Sequence, residues 1–118
     1  MSESMGFGEY NQLMLKLFIF APDQQEIIEK IVDAASQAGA GIIGNYTHCS
    51  FITKGVGSWF SGEGSHPFLG KTGEFSTEPE VRIEMECPDD KASEVDKAVK
   101  KVHPYEEAVI EFLKIENK

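Results

Sequence analysis

The sequence predicts an α+β domain whose elements run strand, helix, strand, strand, helix, strand. Three observations carry that expectation. The apolar run from Leu13 to Ala21, broken only by Lys16, has the length of a buried strand. Residues 81–87 alternate, Val81, Ile83, Met85 and Cys87 against Arg82, Glu84 and Glu86, as a strand with one covered face should. Each of these strands is followed by apolar residues at helical spacing.

In order along the chain, the first strand covers Tyr10 to Ala21 and is cut off by Pro22-Asp23; its density of large apolar groups suggests burial on both faces. Asp23 with Glu26 three residues on has the form of a capping pair. Ile27, Ile28, Ile31, Val32, Ala35 and Ala38 then recur on one helical face, and Gly39 supplies a stop. A second strand is expected from Ile42 to Thr53, with Tyr46, His48, Ser50 and Ile52 on one face and Thr47, Cys49 and Phe51 on the other. Residues 54–80 read as a long loop with glycines at 55, 57, 62, 64, 70 and 73. Its Trp59, Phe60, Phe68 and Phe75 argue against disorder. After the 81–87 strand, Pro88-Asp89-Asp90 opens a helix that exposes Lys91, Glu94, Asp96, Lys97, Lys100 and Lys101. Val95, Val99 and Val102 form its buried face. Proline has no N–H and disfavours helical geometry in the residue before it, so Pro104 ends this helix near His103. A last strand follows from Glu107 to Ile115.

Right-handed crossovers in two such βαβ halves place both helices on one face of a four-stranded antiparallel sheet, which is the ferredoxin-like βαββαβ sandwich. The other face is left bare. The first and last strands carry apolar groups on both alternating sets, Leu113 and Ile115 as well as Ile110 and Phe112, which favours a homo-oligomer that covers the open face. The alternative is a monomer covered by its own long loop.

At 118 residues the chain suits one domain, residues 1–118, and no apolar run approaches the roughly 20 residues of a membrane helix. The start Met1-Ser2-Glu3-Ser4 lacks the basic segment of a secretory signal, so a cytoplasmic location is expected. The formal charge of -9, from 20 acidic and 11 basic side chains, repels phosphate backbones and argues against nucleic acid as a partner. Cys49 and Cys87 have no C-x-x-C spacing and are expected as two reduced core thiols.

The chemistry-bearing residues concentrate in two places. One is the junction His103-Pro104-Tyr105-Glu106-Glu107, where an imidazole, a phenol and two carboxylates fall within five residues. The other is the glycine-aromatic loop. Trp59, Phe60, His66, Tyr105, Glu106 and Glu107 are the candidates for a ligand cleft or subunit interface. His48 and His103 are the candidate ligands of a divalent metal ion, with Glu63, Glu106, Glu107, Cys49 or Cys87 to complete a shell. The structural alternatives are a hydrogen-bonded histidine within the sheet for His48, a surface turn residue for His66, a helix C-terminal cation for His103 and interface packing for Tyr105. Gly55-Val56-Gly57 and Gly62-Glu63-Gly64 offer anion nests beside Lys54 and Lys71, or simple turns. No nucleophile motif is present.

Taken together, Gly39-Ala40-Gly41-Ile42-Ile43-Gly44-Asn45-Tyr46-Thr47-His48-Cys49-Ser50-Phe51, Gly55-Val56-Gly57-Ser58-Trp59-Phe60, Pro67-Phe68-Leu69-Gly70 and His103-Pro104-Tyr105-Glu106-Glu107 resemble the small domain inserted into YqfO-type, Nif-three-like proteins. That domain is related in fold to the copper-tolerance protein CutA and to PII signalling proteins. The resemblance implies a CutA/PII-like ferredoxin fold and a trimer. It does not bring in the larger family's dinuclear-metal chemistry, whose His- and Asp-bearing halves are not within these 118 residues. Ala108 stands where relatives tend to place proline, a departure at the start of the last strand. The function expected is a non-catalytic, oligomeric binding or regulatory module that takes a metal ion or small anionic ligand near a subunit interface. The alternatives are a small metal-dependent enzyme using His48, His103 and a carboxylate, and a structural partner module for a separate protein.

Overall fold

A computed structural model describes residues 13–116, and their order is β1 (Met14–Pro22), α1 (Gln25–Gln37), β2 (Phe51–Phe60), β3 (Phe75–Pro88), α2 (Ala92–Val102) and β4 (Ile110–Lys114). A short 3-10 turn, Asp89–Lys91, leads into α2. The strands form one antiparallel sheet in the order β2-β3-β1-β4, the ferredoxin-like arrangement expected. Tyr10 to Gln12, assigned to the first strand from sequence, lie outside the described residues.

Leu15, Leu17, Ile19 and Ala21 of β1 and Val81, Ile83, Met85 and Cys87 of β3 face the helices and are buried. All of these but Leu15 pack with Ile31 and Ala35 of α1 and Val95 and Val99 of α2 into one core. The expectation that β1 is buried on both faces is corrected: Lys16, Phe18 and Phe20 are only half-buried, because both helices lie on the other side. The uncovered face carries Phe18 under the Arg82 guanidinium, with exposed Phe51 and Leu113 nearby in register. Cys87 is a core thiol, but Cys49 is half-buried in the connection before β2.

The capping pair is not formed. Gln24 is the N-cap and makes no side-chain capping bond, while Asp23 directs its carboxylate to Lys54 Nζ at 3.5 Å. The predicted stop is confirmed: the Gly39 and Ala40 N–H groups close back on the carbonyls of Ser36 and Ala35 at 3.1 and 2.9 Å.

Two strand boundaries differ from the sequence expectation. Residues 42–50 are not strand: Gly41 and Gly44 take positive φ, and Ile43 and Tyr46 exchange backbone hydrogen bonds across a tight turn. Conversely, the stretch expected as a loop is strand at both ends, with Gly55–Phe60 pairing residue by residue with Phe75–Glu80. Only 61–74 connects them. Glycines and Pro79 obscured the pattern, yet Pro79 sits past the end of the β1 ladder, where the absent N–H interrupts no pairing with β1. This two-stranded arm projects beyond β1, whose pairing with β3 stops at Pro22↔Glu80. β4 also begins three residues late, at Ile110, since Tyr105 to Val109 are bent alongside the arm.

Candidate functional site

The helix-to-strand junction is held from within. Pro104 forces His103 to an extended ψ of 131°, and α2 ends there. The His103 ring is then buried against β1: Nδ1 accepts the Tyr105 N–H at 3.1 Å, which leaves Nε2–H to donate to the Phe20 carbonyl at 2.7 Å. Burial holds its pKa below the ordinary 6.5, against the opposing pull of the Phe20 carbonyl and the Glu80 charge. His103 is therefore a neutral, doubly hydrogen-bonded ring rather than the helix-terminal cation considered from sequence.

This fold-back aims Tyr105 at the arm. Its phenol donates to Glu80 Oε2, and its ring meets Trp59 at 5.9 Å, Phe68 at 6.4 Å and His103 at 5.1 Å between centroids, all tilted. Burial, then the hydrogen bond to Glu80, then the charges of Glu80 and Glu78, raise the Tyr105 pKa, so the phenol stays a proton donor. Glu80 pairs with Gly55 of β2 and lays its carboxylate over Gly57, where any β-carbon would collide with it. Gly57 is thus a strand glycine required by close approach, Gly55 is a strand residue with open space beside it, and Gly55-Val56-Gly57 is no anion nest.

The 61–74 connection closes over this group. The Ser61 N–H bonds the Glu74 carbonyl, the Gly73 N–H bonds the Ser61 carbonyl, and Thr72 Oγ1 ties to the Ser65 carbonyl. The His66 N–H donates to Glu106 Oε1 at 2.8 Å and latches the loop to the junction. What results is a cleft of about 550 Å³ between arm, loop and junction. A ligand pocket of ordinary size is of that order, roughly 300–1,000 Å³.

Of the residues proposed from sequence for such a cleft, Trp59, Phe60, Tyr105, Glu106 and Glu107 line it. His66 joins through its backbone, and its ring is not part of the lining. Sequence reasoning missed Phe20, Ser61, Glu80 and Val109. Glu80 left a signal, since the 81–87 alternation continues backward through it, opposite a glycine. Ser61 is buried, and its hydroxyl has no hydrogen-bond partner among the described residues.

The two candidate metal ligands occupy separate settings. His48, at φ 60°, places Nε2 2.9 Å from Asp33 Oδ1 and Nδ1 2.8 Å from Thr47 Oγ1, at the end of α1. The hydrogen bond from His48, and then that from Gln37, lower the Asp33 pKa. Both ring nitrogens of His103 are engaged at the junction. Among the described residues no three His, Cys, Asp or Glu side chains converge as a metal group would require.

These elements define a ferredoxin-like module of the CutA type. The fold matches the divalent cation tolerance protein CutA of Archaeoglobus fulgidus with a TM-score of 0.65 at 20% identity, over 89% of this chain and 86% of that one. A Bacillus cereus protein related to NIF3 matches with a TM-score of 0.75 and 35% identity, over 90% of this chain and 26% of that protein. In sequence, the chain is 37% identical over 107 residues to the GTP cyclohydrolase 1 type 2 homolog of Bacillus subtilis and 36% identical over 104 residues to that of Halalkalibacterium halodurans. Those alignments cover 91% and 88% of this chain, but 28% and 27% of the relatives. No family model matches the chain. The chain is thus a counterpart of one segment of the Nif-three-like proteins, as its motifs suggested, and spans about a quarter of the length of the curated relatives.

Proposed function

We propose that the chain is a non-catalytic, cytoplasmic binding module that works as a homo-oligomer, with a trimer favoured, and takes a small ligand in the Tyr105 cleft near a subunit boundary. The cleft carries the reading: aromatic walls and a few placed polar groups are what binding sites for small molecules require. Oligomerisation is supported by apolar side chains left outside, Phe51 on the bare sheet face and Val56, Phe60 and Phe75 on the arm. Of the ligand classes expected from sequence, a small anion is disfavoured, because Glu80, Glu106 and Glu107 line the cleft. The similarity in fold to a divalent cation tolerance protein, CutA, supports a metal ion as the alternative ligand. The enzyme alternative is weakened because His48 and His103 lie in separate settings, and His103 and Tyr105 are both committed to internal hydrogen bonds.

Trp59, the single tryptophan, lines the cleft and reports its occupancy. The test pairs light scattering with a tryptophan-fluorescence screen of amines, neutral aromatics, nucleotides and divalent metals. A mass of three 13.1 kDa chains and a response lost in Tyr105→Ala are expected. A strict monomer at micromolar concentration overturns the oligomer, and a flat response across the screen overturns the cleft.

A further inference from the structure

We infer that the ligand of the Tyr105 cleft is an organic cation: a protonated amine carried on a flat, apolar body. The inference rests on the cleft reading above and specifies its occupant. Two aromatic rings flank a third: the Trp59 and Phe68 centroids stand 5.9 and 6.4 Å from that of Tyr105. The faces of such rings carry negative potential and attract cations held over them, with indole the strongest. Carboxylates supply the rest of the polar lining charge. Glu80, Glu106 and Glu107 line the cleft, and no lysine, arginine or histidine side chain does.

Basic side chains of the neighbouring strands pair elsewhere. Lys54 is turned to Asp23, Arg82 to Glu84 and Lys16 to Glu86. The Tyr105 phenol spends its proton on Glu80 and so keeps one carboxylate oriented without removing its charge. The two ends of a flat amine are thereby provided for: ring faces for the body, carboxylates for the ammonium. The buried Ser61 hydroxyl, a donor and acceptor with no hydrogen-bond partner among the described residues, belongs to the same lining.

A metal ion fits this lining less well than an organic cation. It would forgo the aromatic surface, and the carboxylates present do not form a group of three or more suited to a metal. A nucleotide or other anion would meet three carboxylates and no counter-charge.

Three probes of matched shape test the inference: benzylammonium, benzyl alcohol and benzoate, titrated at neutral pH against the full chain and followed by Trp59 fluorescence and calorimetry. Benzylammonium is expected to bind at least about tenfold tighter than benzyl alcohol, the scale of a cation–π contact reinforced by a carboxylate, with benzoate weakest. Glu80→Gln keeps the shape and the acceptor for Tyr105 while removing the charge, and should erase most of that preference without weakening benzyl alcohol. Glu107→Gln, at an exposed position, repeats the test where Glu80→Gln fails to fold, and a reduced preference is expected again. Equal or tighter binding of benzyl alcohol or benzoate overturns the cation and leaves the cleft standing. Failure of all three to bind also overturns it, and the wider screen then judges the cleft separately. A preference unchanged in the charge-removing variants overturns the assignment of the ammonium to the carboxylates.

Discussion

The helix-backed part of the sheet and the projecting arm use the same two strands for different ends. Where β3 runs beside β1, Val81, Ile83, Met85 and Cys87 are buried beneath both helices, and alternation alone sets which side chains go inward. A few residues earlier the same strand has only β2 as a neighbour, and Phe60 and Phe75 of the arm remain exposed. An isolated two-stranded ribbon is marginal in water. This one is buttressed by side-chain contacts from far along the chain, Tyr105 onto Trp59 and Glu80, and by the loop latched through Glu106. Stability is concentrated in the core. The proposed binding cleft lies where strand edges and ring faces are left unused.

That contrast is breakable in three ways, taken from the largest effect down. Ile83→Ala removes a fully buried side chain and leaves a cavity between the helices, so a loss of about 3 kcal/mol in urea unfolding is expected, against well under 1 kcal/mol for Phe60→Ala on the arm. Equal losses would show that the arm is part of the core.

Acidification tests the joint between the two regions. The folded state favours neutral His103, so the unfolded chain binds the extra proton. The contribution is intact above the ordinary pKa of 6.5 and declines as pH falls from there toward the lowered folded value. A midpoint of urea unfolding that drops between about pH 7 and pH 5 in the parent, and drops less in His103→Gln, is the expected result. Parallel slopes would assign the pH dependence elsewhere.

The smallest effect concerns Ser61. Leaving a buried hydroxyl unpaired is unfavourable, so Ser61→Ala should stabilise the free protein by up to about 1 kcal/mol, or leave it unchanged, in thermal unfolding. A clear destabilisation would mean that the hydroxyl has a partner in the free protein.

Much of the architecture was legible because its signals are local. Ile27, Ile31 and Ala35 recur at the helical period, Val81 to Cys87 alternate at the strand period, and Pro104 stops α2 at His103. The misread segments are those in which local propensity was overruled. Ile42 to Ser50 carry β-branched and aromatic residues, yet Gly41, Gly44 and His48 at positive φ turn the backbone out of a strand. Gly55 to Phe60 look like loop, yet full pairing with Phe75–Glu80 makes them strand. In the cleft, Trp59, Phe60, Tyr105, Glu106 and Glu107 were found as chemically suggestive types; Phe20 was missed because nothing local distinguishes it from other strand residues, and Glu80 because its alternation with 81–87 marks it as strand and not as part of a site.

By itself, then, the sequence determined the order of elements, the inward face of β3, most of the inward face of each helix, and the hinge at Pro104. Those follow from backbone geometry and side-chain period, which act over a few residues. Only the tertiary structure decided that Tyr105 would reach Glu80 across 25 positions, that His66 and Glu106 would meet across 40, and that Trp59, Phe68 and Tyr105 would share one cleft with three carboxylates. Such meetings depend on the β2–β3 register and on the path of residues 61–74, which the whole packed chain settles at once.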